Sequence, residues 1–126
     1  MYKLCFKRKF IAQHFLIGGD WGPENNLHSH AYELELRLFG KSLNKHNYLV
    51  DLDLVEETLD SVINKFEDKL LNDLPFFKET NPSLELFSRM LTEIIAKDFK
   101  GESLEVLEVR LWENDFAWAS WEQSLK

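Results

Sequence analysis

Three histidines have the residue type and spacing that suit metal chemistry: His14, His28 and His30. Successive side chains of an extended strand alternate between its two faces, so His28 and His30 would point to the same side, about 7 Å apart along the backbone. His14 lies in a separate strand-like segment. If the two segments pair, all three imidazoles converge on one spot. Neutral imidazole is a good zinc ligand, and three protein ligands with one open position are typical of a catalytic zinc site.

The histidines share their faces with apolar residues. The residues with the parity of His14 or of His30 are Phe6, Phe10, Ala12, Leu16, Tyr32, Leu34, Leu36 and Leu38. The opposite parity of the second segment carries Glu33, Glu35 and Arg37. The predicted site is therefore sheltered by a sheet face. An H-x-H pair alone is a weak signal, and ordinary hydrogen-bonded or exposed histidines are the alternative interpretation.

Four strands are predicted from residue types and alternation. They cover residues 2–17, 30–39, 104–113 and 116–121, and the first two are joined by a loop at 18–23. A change of phase between Val106 and Leu107 predicts a bulge there. Large aromatic residues are dense in the last two strands, which favours oligomerisation, although such residues are more often core.

Two amphipathic helices are predicted between the strand pairs. The first follows Asp51, a candidate helix cap, and places Val55, Leu59, Val62, Ile63, Phe66 and Leu70 on one face. The second takes Asn81 as N-cap and Pro82 as its first residue, and closes at Phe99, Lys100 and Gly101. The order ββααββ predicts one α+β domain over residues 1–126, a four-stranded antiparallel sheet with both helices on one face.

Composition limits the partners and the compartment. The net charge of −7 argues against nucleic acid and anionic membranes as partners, because both require clustered cations. The cation run Lys7, Arg8 and Lys9 is interpreted as a solvated strand end, with contact to a triphosphate as the alternative. The single cysteine excludes an internal disulfide and suits a cytoplasmic location. Neither a signal peptide nor a transmembrane span is expected.

Six short motifs, in order, resemble the 6-pyruvoyl-tetrahydropterin synthase and 6-carboxy-tetrahydropterin synthase family across nearly the whole chain. They are F-x-A-x-H at 10–14, L-H-x-H at 27–30, V-D at 50–51, L-N-D at 71–73, N-P-x-x-E at 81–85 and the strand-ending glutamate Glu113. The resemblance implies the tunnelling fold, in which three sheets join edge to edge into a barrel and two trimers stack into a homohexamer. It also implies that His14, His28 and His30 bind zinc, and that Glu113 anchors a pterin.

Two positions depart from the family pattern. The family's cysteine lies four residues before the first histidine of H-x-H, where this chain has Glu24. The family's histidine before L-N-D is matched by Asp68, with Glu67 beside it. The resemblance therefore makes Glu24, Asp68 and Glu67 the candidate catalytic residues.

The resemblance implies a zinc-dependent carbon–oxygen or carbon–carbon lyase. Its substrate would be 7,8-dihydroneopterin triphosphate or a related dihydropterin, in biopterin, queuosine or folate precursor biosynthesis. Members with glutamate in place of cysteine look like retro-aldol enzymes that make 6-hydroxymethyl-7,8-dihydropterin. The alternative is a catalytically reduced member that binds a pterin-like or purine-like ligand.

Overall fold

The computed structural model describes residues 1–100 and 102–126 as an α+β fold. Four strands form one antiparallel sheet in the order β1-β2-β3-β4. Their bounds are Tyr2–His14 for β1, His28–Gly40 for β2, Val106–Asn114 for β3 and Ala117–Ser124 for β4. Two α-helices lie between β2 and β3 in the chain, α1 at Leu52–Phe66 and α2 at Leu84–Ala96. The predicted order and the antiparallel sheet are confirmed.

The register of β1 and β2 fixes the positions of the histidines. His14 pairs with His28, and Ala12 pairs with His30. Along β2 the residues from Tyr32 to Leu38 with the parity of His30 are all buried. The alternation read from the sequence therefore assigned the faces of both strands correctly.

The core lies between this face of the sheet and the two helices. At its centre is Phe87 of α2, which is fully buried. Its ring centroid lies 5.1–5.9 Å from those of four other aromatic residues, Phe10, Tyr32, Phe66 and Phe77. Helix α2 gains an N-terminal cap from Ser83, whose hydroxyl accepts a hydrogen bond from the Leu86 backbone N–H at 3.1 Å. Aromatic packing therefore supports the strands directly beneath the histidines.

Several predicted boundaries were wrong, each for a local reason. The cap of α2 is Ser83 rather than Asn81, because the Asn81 side chain bonds the backbone of Ile17 instead. Leu70 lies beyond the end of α1, in an isolated parallel bridge with Gln13. The bulge of β3 lies between Trp112 and Asn114 rather than at 106–107. Helix α2 ends at Ala96 and a 3₁₀ turn follows over Lys97–Phe99, while Gly101 lies outside the described residues.

The other boundaries shift by a few residues. Strand β1 ends at His14 rather than at 17, β2 begins at His28 rather than at 30, and β4 runs over Ala117–Ser124 rather than 116–121. The predicted cap at Asp51 is confirmed, since its side chain accepts a hydrogen bond from the Asp53 backbone N–H at 2.9 Å.

The opposite face of the sheet carries alternating charges. Lys7 lies 3.3 Å from Glu33, and Arg37 lies 3.2 Å from Glu108, which in turn contacts Arg110 at 3.0 Å. Both helices pack on the other face, so no described element of the chain covers these residues. No helix among the described residues is long and apolar enough to cross a bilayer.

Candidate metal centre and ligand site

The three histidine rings converge at one end of the sheet. Their centroids are 4.4–4.8 Å apart, and one ring nitrogen of each lies within 4.8 Å of the other two. The Nε2 atoms of all three are buried, and none of them has a hydrogen-bond partner among the described residues. A buried polar atom without a partner is costly. The cluster could therefore hold a metal ion, which would bind all three nitrogens at once.

The remaining ring nitrogens of two histidines are held by the protein. His28 Nδ1 lies 2.8 Å from the Asn26 carbonyl oxygen, and His14 Nδ1 lies 3.3 Å from the Tyr32 hydroxyl. A carbonyl oxygen accepts only, so the His28 proton belongs on Nδ1 and its Nε2 keeps a free lone pair. Such contacts fix the ring orientation and tautomer of metal-binding histidines. Two of the rings are thus oriented toward a common centre before any ion binds.

His14 is kept neutral by its surroundings. Burial and the neighbouring rings of His30 and His28 lower the pKa of His14 from 6.5 to about 4. Its side chain is buried, with 4% of the residue exposed. A neutral imidazole is the form that binds a metal, so His14 is available as a ligand throughout the neutral range.

Three asparagine side chains hold the segment that leaves His14. The Asn72 side chain bonds both the N–H and the C=O of Phe15 at 2.9 Å. Asn81 does the same for Ile17, at 2.7 and 3.1 Å. Asn25 donates to the Leu16 and Gly19 carbonyl oxygens at 3.1 and 3.0 Å. These amides replace the strand partners that the backbone lacks after β1 ends, and thereby fix the loop between His14 and His28.

Glu24 lies beside the histidine cluster. It falls in a short 3₁₀ turn at Gly22–Asn25, and its carbonyl oxygen accepts a hydrogen bond from the Leu16 N–H at 2.9 Å. Its Oε2 atom is 3.5 Å from His28 Nε2, the nitrogen that faces the cluster. The carboxylate is about half exposed, so it is open to solvent as well as to the histidine cluster.

Glu113 lies at the bulge of β3, between Trp112 and Asn114. A bulge interrupts the alternation of a strand, so the position of this residue is shown by its effect on Tyr32 rather than by parity. Burial, together with the charges of Glu113 and Glu24, raises the pKa of the Tyr32 hydroxyl above its ordinary value. Both carboxylates are therefore close enough to Tyr32 to affect the ionisation of its hydroxyl. The site thus combines three imidazoles with two acidic groups.

Asp68 and Glu67 lie at the same end of the sheet as the histidines, along the edge of β1. They follow α1, and the Asp68 backbone N–H bonds the Ile11 carbonyl at 2.7 Å on the outer edge of β1. Asp68 has a φ of 59°, and both side chains are exposed. No described hydrogen bond or ion pair joins either of them to the histidines. Within one chain, then, the structure brings together five of the seven predicted site residues.

Tyr32 and the three asparagines were missed by the sequence reasoning. Tyr32 follows His30 by two residues and shares its face, which was a sufficient signal for a neighbour of the cluster. Asn72 and Asn81 belong to the L-N-D and N-P-x-x-E motifs, but the motifs do not reveal what these side chains bond. Their partners, like those of Asn25, are backbone groups, up to 64 residues away.

Comparison with known proteins gives consistent results. A profile of the 6-pyruvoyl tetrahydropterin synthase family matches residues 3–124. A Plasmodium vivax 6-pyruvoyltetrahydropterin synthase in which a catalytic glutamate is replaced by alanine is 15% identical, with a TM-score of 0.81 and 98% of each chain covered. The Caenorhabditis elegans synthase is 21% identical, with a TM-score of 0.81 and 98% of each chain covered.

A more distant structure shares the fold to a lesser degree. A Vibrio cholerae protein provisionally assigned as a dihydroneopterin aldolase is 15% identical, with a TM-score of 0.55 and 98% of each chain covered. Among curated proteins none matches this chain. The profile match spans nearly all of the chain and the sheet has the architecture of these synthases, so the protein belongs to the 6-pyruvoyl tetrahydropterin synthase family.

Proposed function

We propose that this protein is a zinc-dependent lyase that cleaves the side chain of a dihydropterin. The observation that carries the proposal is the convergence of three unpartnered imidazole nitrogens next to the Glu24 carboxylate. A metal with an open position and an adjacent base are the components needed to activate a hydroxyl group.

Zinc fits the donor set of His14, His28 and His30. Zinc–nitrogen bonds of about 2.0–2.1 Å in a tetrahedron place neighbouring ligands about 3.3 Å apart, so the rings would draw together from their present separations. Oriented imidazoles with free lone pairs are typical of such sites. When bound, zinc would supply acidification of a ligand hydroxyl and stabilisation of the negative charge that develops on its oxygen.

Glu113 is proposed to hold the heterocycle. The edge of a pterin presents two N–H donors side by side, and a carboxylate accepts both at once. Glu113 is half-buried, and its charge acts on the hydroxyl of Tyr32, which contacts His14. No described residue pairs with the Glu113 carboxylate, so it is free to accept both donors of the pterin edge. This contact would direct the 6-substituent of the ring toward the metal centre.

Glu24 is proposed as the base. It would accept the proton of a side-chain hydroxyl, after which the adjacent carbon–carbon bond breaks and an aldehyde leaves. The carbon that remains attached to the ring then takes up a proton, giving 6-hydroxymethyl-7,8-dihydropterin. Support comes from the position of Glu24 against His28, and from the Plasmodium vivax relative, in which a glutamate is a catalytic residue.

The protein is further proposed to act as a homo-oligomer, a hexamer of two trimers. Strands β1 and β4 form the edges of the sheet, and the β4 end exposes Phe116, Trp118 and Trp121 at 86%, 43% and 40%. In an edge-to-edge assembly, Asp68 and Glu67 on the β1 edge would serve the site of a neighbouring copy. Light scattering at micromolar concentration tests the assembly, and a stable monomer would refute it. A single domain over 1–126 and a cytoplasmic location complete the proposal.

A pterin-binding protein without turnover is the second candidate. It is favoured by the position of Cys5, which lies near the start of β1 on the opposite face of the sheet and cannot serve the site. Incubation of the zinc-loaded protein with 7,8-dihydroneopterin and its triphosphate, with products identified by mass, separates the candidates. Release of 6-hydroxymethyl-7,8-dihydropterin supports the lyase. Tight binding without any product would leave only the binding role.

A further inference from the structure

The net negative charge of this protein is concentrated at the end of the fold that carries the histidines. This site end comprises residues 14–28, 67–85 and 113–117, which are the loops and strand ends around the cluster. It contains nine Asp or Glu residues and two Lys residues, a net formal charge of −7. That equals the charge of the whole chain, so the remaining residues are formally neutral.

The carboxylates of the site end are not neutralised by ion pairs. Among the described residues, one acidic group of the site end has a possible ion-pair partner: Glu24 lies next to His28. This contact is an ion pair only when the His28 imidazole is protonated. The other ion pairs lie on the far face of the sheet, along the helices or at the opposite end, as between Lys126 and Glu105. The two cations of the site end, Lys69 and Lys78, are exposed and form none of them.

The acidic surface surrounds a site that is built for a ligand. His14 is 4% exposed, and its Nε2 atom has no partner and faces the cluster. A bound divalent metal would contribute two positive charges, which offset Glu24 and Glu113 and leave the rest of the acidic end uncompensated. Two like charges about 10 Å apart in water weaken association about two-fold, and the effects multiply over the several charges of a phosphorylated ligand.

We propose that this site takes a dihydropterin whose side chain is an uncharged polyol, and that it discriminates against phosphorylated forms. The inference rests on the proposed function, because it specifies the substrate class of the same site. The acidic end repels a phosphorylated side chain, whereas the metal and Glu113 recognise parts that both forms of the ligand share. The reaction that supplies the substrate must then remove its phosphates beforehand.

Calorimetry on the zinc-loaded protein tests this proposal. The probes are the oxidised pterins neopterin, neopterin monophosphate and neopterin triphosphate, chosen because cleavage of their side chains would disrupt the aromatic ring. At about 20 mM ionic strength we expect affinity to fall in that order, by about ten-fold or more between the first and the last. At 0.5 M salt the difference should shrink to about three-fold or less, because screening removes long-range repulsion. Equal or tighter binding of the triphosphate at low salt would overturn the proposal, whereas failure of all three to bind would refute the proposed function itself.

A pair of matched double variants separates charge from structure. Asp73→Asn with Glu79→Gln removes two exposed charges from the site end, and Glu57→Gln with Glu122→Gln removes two exposed charges from elsewhere. The first should tighten triphosphate binding several-fold at low salt and leave neopterin binding unchanged. The Glu57→Gln, Glu122→Gln variant should change neither triphosphate binding nor neopterin binding. Equal effects of the two variants would show that the site end has no special role and would contradict the proposal.

Discussion

Tyr32→Phe removes the hydroxyl that contacts His14 and keeps the ring. Tyr32 is 1% exposed, and its ring packs on Phe10 and Phe87 at centroid distances of 5.3 Å each. Phenylalanine preserves this packing, so the change isolates the 3.3 Å contact between the hydroxyl and His14 Nδ1. The contact joins two buried neutral groups, and its loss leaves His14 Nδ1 without this partner.

The substitution should lower both the stability of the metal-free protein and its affinity for zinc. A neutral hydrogen bond contributes about 0.5–1.5 kcal/mol, and an unsatisfied buried group raises the cost, so the metal-free variant should lose about 1–2 kcal/mol in free energy of unfolding. Groups that orient metal ligands typically change metal affinity by about 10–100-fold when removed. Because the contact is long, we expect zinc affinity to fall toward the lower bound, about ten-fold.

Urea denaturation of the metal-free protein and zinc titration against a competing chelator measure the two effects. Tyr48→Phe is the matched control, because Tyr48 is 56% exposed and no described hydrogen bond joins its hydroxyl to a histidine. A Tyr32→Phe protein that folds normally and binds zinc as tightly as the parent would refute the orienting role of this hydroxyl.

Three further predictions concern stability and ligand binding. The pKa of His14 is about 4 in the fold and 6.5 when unfolded, so the unfolded chain binds the proton more readily. The metal-free protein should therefore lose up to about 3 kcal/mol of stability as pH falls from 6.5 to 4, and His14→Gln should flatten this dependence in urea melts. Phe87→Ala empties the centre of the aromatic cluster and should cost about 3–5 kcal/mol by the same assay; a loss below 1 kcal/mol would contradict the packing. Glu113→Gln should weaken pterin binding by about 2–4 kcal/mol in calorimetry with zinc content unchanged, and equal affinity would remove its anchoring role.

Short-range patterns in the sequence predicted the parts of the site that lie on strands. Alternation placed His14 and His30 on the apolar face, because side-chain direction in a strand depends only on parity. The order of elements followed from the two periodicities, since helices and strands repeat differently.

Long-range contacts decided what the sequence could not reveal. Asn81 looked like a helix cap, but its side chain bonds Ile17 across the loop and leaves capping to Ser83. Asp68 follows a helix and precedes L-N-D, yet backbone pairing with Ile11 holds it at the sheet edge, and no described hydrogen bond or ion pair joins its side chain to the histidines. Such outcomes depend on which segments meet in space, and no local residue pattern records that.

Zinc content and cleavage, measured together in the same samples, test the central claim most directly. The parent protein, His28→Ala and His30→Ala would each be saturated with zinc, freed of excess metal, and assayed for bound zinc and for cleavage of 7,8-dihydroneopterin. We predict one zinc per chain and active cleavage in the parent, and loss of both in each variant. Zinc retained undiminished in both variants, or cleavage that continues without zinc, would contradict the account.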